Sequence, residues 1–277
     1  MGYNCFDVAE SDHIAHVVMN RPDAFNSMTA DFWRELPAIV NEISDRGAAR
    51  AIVLSSTGKH FCAGMDLGVF SSVNDADDLE VGRARAQLRQ LVLHLQDSFT
   101  ALEKARMPVL AAIQGGCIGG GIDMVTAADM RYATRDAYFT IQEINIGMTA
   151  DVGTLQRLPK LIPEGIAREY AYTGEKLTAA RAYELGLVNR LFDDHESMVE
   201  GVLAIAATIA NKSPLAVMGS KQMLNYGRDH SVQDGLDYIA TWQTGMFQPP
   251  DMLEAFAALS EKRDPEFDDL PEVKRQL

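Results

Sequence analysis

The order of elements in this sequence predicts a layered α/β fold with a helical C-terminal extension. Over the first two thirds of the chain, short apolar runs of strand length alternate with segments of helical periodicity. Over the last third, helical patterns dominate. No repeat at a fixed period and no low-complexity linker breaks this order.

The elements follow in sequence. "HIAHVVMN" (13–20) alternates as a strand does, and "NRPDAFNS" (20–27) has the composition of a turn. "TADFWRELPAIVNEIS" (29–44) spaces its apolar residues for a helix, with Thr29 as N-cap. "AIVLSS" (51–56) is a buried strand leading into the glycine-containing loop "TGKHFCAGMDL" (57–67). "NDADDLE" (74–80) reads as the solvated start of a long helix ending near Lys104. "PVLAAIQ" (108–114) is a second buried strand; it runs into five glycines within "GGCIGGGIDM" (115–124) and a short helix from about Gly120. "MRYAT" (130–134) and "AYFTI" (137–141) are strands, and helices follow over 153–157, 165–172 and 178–185. The strand "LVNRLF" (187–192) precedes further helices to about Lys262, and the charged "SEKRDPEFDDLPE" (260–272) is expected to fray.

A chain of 277 residues can form one large domain or a domain with a helical appendage, and 47% hydrophobic with 23% charged residues is ordinary for a globular protein. A net charge of -14 argues against binding a phosphate backbone, which relies on clustered Lys and Arg. Three cysteines, Cys5, Cys62 and Cys117, show no framework spacing, and Cys62 and Cys117 read as small apolar fillers rather than nucleophiles. The first residues resemble neither a signal nor a transit peptide, no apolar stretch reaches membrane-spanning length, and the C-terminus is not Ser-Lys-Leu. The expected compartment is the cytoplasm.

Chemistry is expected where two loops leave the C-terminal ends of buried strands. The N–H groups of Met65 and Gly120 are candidate donors to one carbonyl oxygen, an arrangement worth roughly 10²–10³ in rate per donor. A phosphate loop is the competing reading, but "GGCIGGG" lacks the G-x-G-x-x-G spacing and no G-K-[ST] follows. Packing alone could also account for the glycines. Among the acids, Asp123, Glu143 and Asp151 stand apart because apolar or small residues flank them, and burial would raise their pKa toward the range of proton transfer. Each also has a structural reading: Asp123 capping or bonding to the glycine loop, Glu143 pairing with an Arg, Asp151 capping a helix. The residues by themselves reach an α/β enzyme that uses an oxyanion hole and carboxylates.

With these segments in view, the chain resembles the crotonase (enoyl-CoA hydratase/isomerase) superfamily over nearly its whole length. The matching stretches are "NRPDAFNSM", "GKHFCAGMDL", "AAIQGGCIGGGIDMVTAADMRYAT", "AYFTIQEINIGMTADVGTLQRLPKLI", "AYTGEKLTAARAYELGLVNRLF" and "SEKRDPEF". The resemblance implies a spiral of ββα turns over residues 1–200 carrying an acyl-CoA site, and a helical region over 201–277 that forms trimers, usually paired into hexamers. It implies an acyl-CoA thioester substrate and no metal or redox cofactor, CoA entering only as part of the substrate. Carried over, the oxyanion hole falls on Met65 and Gly120, the substrate path on Ala63, Gly64, Met65, Asp66 and Leu67, and further CoA contacts near Ala24 and Lys59. Family hydratases carry Glu at the positions of Asp123 and Glu143. The Asp at the first position together with Asp151 resembles instead the Δ3,5-Δ2,4-dienoyl-CoA isomerases of fatty acid β-oxidation, and "RDHSV" (228–232) agrees. That likeness implies proton transfer from C2 to C6 by Glu143 and Asp151, with Asp123 in support. Met65 is bulkier than the Ala or Ile often found there, and Met148 and Thr149 replace smaller or more apolar residues beside Asp151. The alternatives are 2-enoyl-CoA hydration or another acyl-CoA reaction on this scaffold, and a non-catalytic acyl-CoA- or RNA-binding relative.

Overall fold

The computed structural model of the protein describes residues 2–66, 68–69, 79–247 and 249–274. Its first element is absent from the sequence reading. β1 (Phe6–Ser11) pairs antiparallel with β2 (Ile14–Met19), and Asp12 and His13 turn between them at φ 49° and 61°. Only Phe6 of β1 is buried, so "FDVAES" lacks the apolar signature of a strand.

From β2 the sheet grows in parallel through β3 (Ala51–Ser56), β4 (Val109–Ile113), β6 (Met130–Thr134) and β9 (Arg190–Phe192). Every residue of β3 and β4 is buried, which is why both read as continuous apolar runs rather than alternations. A second layer is made of shorter pieces. Met28 bridges Met65, Cys62 bridges Cys117, β5 (Gly116–Ile118) pairs in parallel with β7 (Tyr138–Thr140), and β8 (Leu177–Thr178) closes on β7. Each successive turn of chain thus adds a long strand to one layer and a short segment to the other before a helix. This repeat is the expected spiral.

The helices are α1 (Ala30–Arg46), α2 (Val81–Lys104), α3 (Gly120–Thr126), α4 (Thr154–Leu161), α5 (Glu164–Thr173), α6 (Ala179–Glu184), α7 (His195–Ala210), α8 (Pro214–Gly227), α9 (Val232–Met246) and α10 (Pro249–Glu261). Thr29 caps α1 as expected, its hydroxyl accepting the Phe32 N–H. The long helix α2 begins after Glu80, whose carboxylate accepts the Gly82 N–H, while residues 74–78 of the acidic run lie outside the described residues. α1 buries Phe32, Trp33, Leu36, Ile39, Val40 and Ile43 in the main core. α7 buries Met198, Val202, Ala206 and Ala210 against the opposite face of the large sheet. A division after residue 200 therefore cuts through a helix whose packing belongs to the sheet. Among the described residues no single helix is long and apolar enough to cross a membrane.

The C-terminal tail corrects an expectation. Residues 264–273 do not fray; the Arg50 guanidinium, almost wholly buried, donates to the Asp269 carboxylate at 2.8 and 3.0 Å and to the carbonyls of Phe267 and Ala210. Leu270 is buried, and the Val273 N–H donates to the Asp45 carbonyl at 2.8 Å. The charged composition hid one buried Leu and one carboxylate demanded by a cation in the core. Replacing Asp269 with Ala leaves Arg50 short of its anionic partner and is expected to cost about 1–3 kcal/mol in urea unfolding.

Candidate active site

The two loops predicted to carry chemistry meet. Gly64 has φ +88°, and a Cβ placed on it would lie 3.0 Å from the Ile118 carbonyl and 3.6 Å from the Gly120 nitrogen. A side chain there would push the loops apart, so glycine is needed both for its backbone conformation and for the contact. The bridge pattern then orients Met65. The Met28 N–H donates to the Gly64 carbonyl and the Asp66 N–H to the Met28 carbonyl. Met65, lying between these bonds, directs its own N–H to the other side of the strand. Gly120 is the first residue of α3, where an N–H has no intrahelical acceptor. Neither N–H has an acceptor among the described residues.

The rest of the first loop is held by its own bonds. Asn26, buried at φ 54°, donates to the carbonyls of Thr57 and His60. The Ala63 N–H donates to the Phe25 carbonyl. Asp66 accepts from the Ser27 hydroxyl at 2.8 Å and the Gly68 N–H at 3.0 Å, and these bonds hold its carboxyl below the usual range. It is thus an ionised loop brace. Leu67 lies outside the described residues. Lys59 is exposed, and Ala24 sits in a 3-10 turn (Pro22–Ala24) beside it: a Cβ on Gly58 would lie 2.6 Å from Pro22. Cys62 and Cys117 are fully buried and burial pushes both thiols up, Cys62 to about 12, which suits fillers and not nucleophiles.

The three acids come from α3, a 3-10 turn and the loop before α4, and the charges of Asp123 and Asp151 bear on their neighbours. Asp123, on α3, is fully buried. Its Oδ1 accepts the Thr154 N–H at 2.6 Å, while Oδ2 is buried without a hydrogen-bond partner. Burial is the main force raising its pKa to about 6, opposed by the Thr154 bonds and reinforced by the Asp151 charge. Glu143 opens the 3-10 turn Glu143–Ile146 and is half-buried. Loss of water raises it to about 7, followed by the charge of Asp123 and, more weakly, of Asp151. Its Oε1 lies 3.1 Å from where a Cβ on Gly119 would stand, which places the carboxylate against the loop that presents Gly120. Asp151 is the most open of the three, yet partial loss of water still raises it.

The structural readings of these acids fare differently. Asp123 does cap a helix, but α4 rather than its own. Asp151 is no cap: the N-cap of α4 is Gly153, without a side-chain bond. Glu143 has no ion pair within 4.0 Å among the described residues. The sequence reading missed Thr154, the partner of Asp123, because the link is a backbone N–H and any residue type supplies one. A groove of about 1270 Å³ lies elsewhere, among α8, α9 and α10, lined by Leu236, Ile239, Trp242 and Met252. Among the described residues no three His, Cys, Asp or Glu side chains converge as metal ligands.

Residues 9–270 match the Enoyl-CoA hydratase/isomerase family. The mitochondrial Delta(3,5)-Delta(2,4)-dienoyl-CoA isomerase of Mus musculus is 46% identical over 254 residues, 91% of this chain and 78% of that protein. The peroxisomal Delta(3,5)-Delta(2,4)-dienoyl-CoA isomerase of Arabidopsis thaliana is 41% identical over 92% of each chain. Among solved structures, an enoyl-CoA hydratase from Bacillus anthracis superposes with a TM-score of 0.86 at 30% identity, covering 95% of this chain and 99% of that one. The mitochondrial and peroxisomal placement of these isomerases overturns the cytoplasmic expectation.

The carboxyl shifts have a consequence for stability. Asp123 and Glu143 have folded-state pKa values above their ordinary ones, so the fold binds more protons than the unfolded chain between about pH 4 and pH 7. The stability that they contribute is full below their unfolded pKa values and is lost as pH rises through about 6 and about 7. In urea unfolding at a series of pH values, Glu143→Gln is expected to remove part of this decline, gaining on the order of 2 kcal/mol at pH 8 relative to pH 4.

Proposed function

The chain belongs to the enoyl-CoA hydratase/isomerase family, and on that footing we propose that it isomerises 3,5-dienoyl-CoA thioesters to 2,4-dienoyl-CoA thioesters, as a step in fatty acid β-oxidation. The observation that carries this reading is that Asp123 of α3, Glu143 of the 3-10 turn and Asp151 of the loop before α4 act electrostatically on one site beside the Gly119–Gly120 loop. The relatives that bear the name of such isomerases support it.

In the proposed reaction a thioester carbonyl oxygen accepts the N–H groups of Met65 and Gly120. One carboxylate removes a proton from C2, and the electron pair passes through the diene to leave a dienolate with negative charge on that oxygen. Donors already aimed at the oxygen need no reorganisation as the charge forms. A carboxylic acid then delivers a proton to C6, and the double bonds settle at 2,4. C2 and C6 are too far apart for one short fixed carboxyl, so Glu143 and Asp151 divide the work, one starting ionised and the other protonated. Raised pKa values at both residues suit such a pair near neutral pH. Asp123 holds the Thr154 N–H with one oxygen and leaves the other free to fix polarity beside the diene. Ala63, Gly64 and Asp66 line the approach of the acyl-CoA, which brings CoA as part of the substrate.

The C-terminal helices fit assembly into trimers. Val232, Phe256 and Leu259 are 81%, 61% and 77% exposed, an apolar face that a second copy would cover. Light scattering is expected to give a trimer or a multiple of one, and Leu259→Glu to weaken it.

Conversion of a 3,5-dienoyl-CoA is followed by the absorbance gained as the diene comes into conjugation with the thioester. Glu143→Gln and Asp151→Asn are each expected to lower kcat by about 10²–10⁴. A hydratase using only Asp123 and Glu143 would instead hydrate a 2-enoyl-CoA and keep substantial turnover in Asp151→Asn.

A further inference from the structure

One face of α2 is given over to the turn that carries Asp151. Gln96, Thr100 and Glu103 stand at i, i+4 and i+7, a single stripe on a helix. The Gln96 amide donates to the Asp151 carbonyl at 2.7 Å. The Arg157 guanidinium, from α4, donates to Glu103 Oε2 at 2.8 Å and to the Thr100 hydroxyl at 3.3 Å. Its other nitrogen reaches back to the Val152 carbonyl at 3.3 Å. Arg157 occupies the space over Gly153: a Cβ there would stand 1.7 Å from Nη1, and φ is +134°. The side chains of Arg157 and Glu103 are only 12% and 14% exposed.

The turn has two products. It places Asp151 in front of α4, and it presents the Thr154 N–H that holds Asp123. The second oxygen of Glu103 accepts from Arg228, just after α8, at 2.6 Å, and the Glu103 carbonyl accepts from Asn225 of α8 at 3.1 Å. Burial alone would raise the Glu103 carboxyl, but the bonds from Arg157 and Arg228 hold it below the usual range, so it remains an anion between two cations.

We propose that Glu103 is a positioning residue for the isomerisation: it pins Arg157 on the 151–154 turn and thereby fixes both Asp151 and the clasp on Asp123, while Arg228 ties that geometry to the docked C-terminal helices. The inference rests on the isomerase reading only for its effect on turnover. The charged and titratable groups packed around the turn are Glu103 from α2, Asp123 from α3 and the buried Cys117 thiol beside it, Glu143 from the 3-10 turn, Arg157 and Lys160 from α4, and Arg228 and Asp229 after α8.

The test compares Glu103→Gln, Arg157→Met and the charge-retaining Glu103→Asp in the full chain. It uses the pH profile of kcat and the side-chain carboxyl ¹³C titrations of Asp123 and Asp151, with thermal melts as a check on folding. Glu103→Gln leaves the Arg157 charge uncompensated near Asp123 and on the turn that carries Asp151. Both limbs of the profile and both titrations are expected to move to lower pH, by about one unit. Arg157→Met removes that charge and moves them to higher pH, while Glu103→Asp leaves them near their original places. Lower kcat at every pH with limbs and titrations unmoved overturns the inference, because a merely structural role does that. If the wild type fails to convert a 3,5-dienoyl-CoA, the isomerase reading falls, and the two titrations still decide whether Glu103 sets the carboxyls.

Discussion

The burial of Asp123 is the constraint on which the site depends. A carboxylate with no exposed surface must be bonded or lose its charge, and this one has a single firm partner, the first N–H of α4. That one bond joins the helix after the glycine loop to the helix after Asp151. It ties α3, which begins at Gly120, to the turn that carries Asp151. The cost of leaving Oδ2 unpartnered falls on a residue whose pKa has already risen to about 6, where protonation relieves it.

The fold was legible in the sequence where burial is complete. "AIVLSS" and "PVLAAIQ" read as continuous apolar runs because α7 covers one face of the sheet and the main core the other, and Thr29 announces α1 by capping it. Legibility fails where a segment is held by something other than its own pattern. β1 presents one buried residue and is held by pairing with β2, and the tail is held by a cation 219 residues earlier in the chain but adjacent in space, Arg50. Composition sees neither.

The site divides the same way. Acids with apolar neighbours stood out, and Asp123 and Glu143 proved to be carboxyls raised well above the ordinary range. Asp66 also lay in a suspected loop, but only the structure shows it ionised and spent on Ser27 and Gly68. Thr154, Gln96 and Arg157 left no signal, because a backbone N–H, an amide and a guanidinium on amphipathic helices look like surface until the partner is seen.

Coupling among the acids gives the arrangement its chemical sense. With Glu143 at about 7, Asp123 at about 6 and Asp151 raised, the group cannot hold three negative charges cheaply near neutral pH. The charge of Asp151 raises Asp123 and Glu143, and that of Asp123 raises Glu143, so the group favours retaining a proton while still exposing a carboxylate. Asp151, the most open to water, is the least penalised as an anion; Glu143, against the glycine loop, is the most readily protonated. The proposed reaction takes a proton at one carbon and returns one at another, so it needs both states at once, and repulsion among the carboxyls favours holding both. In that reaction the charge would move within the site while its total changed little, which is the condition for a transfer that begins and ends with a neutral diene.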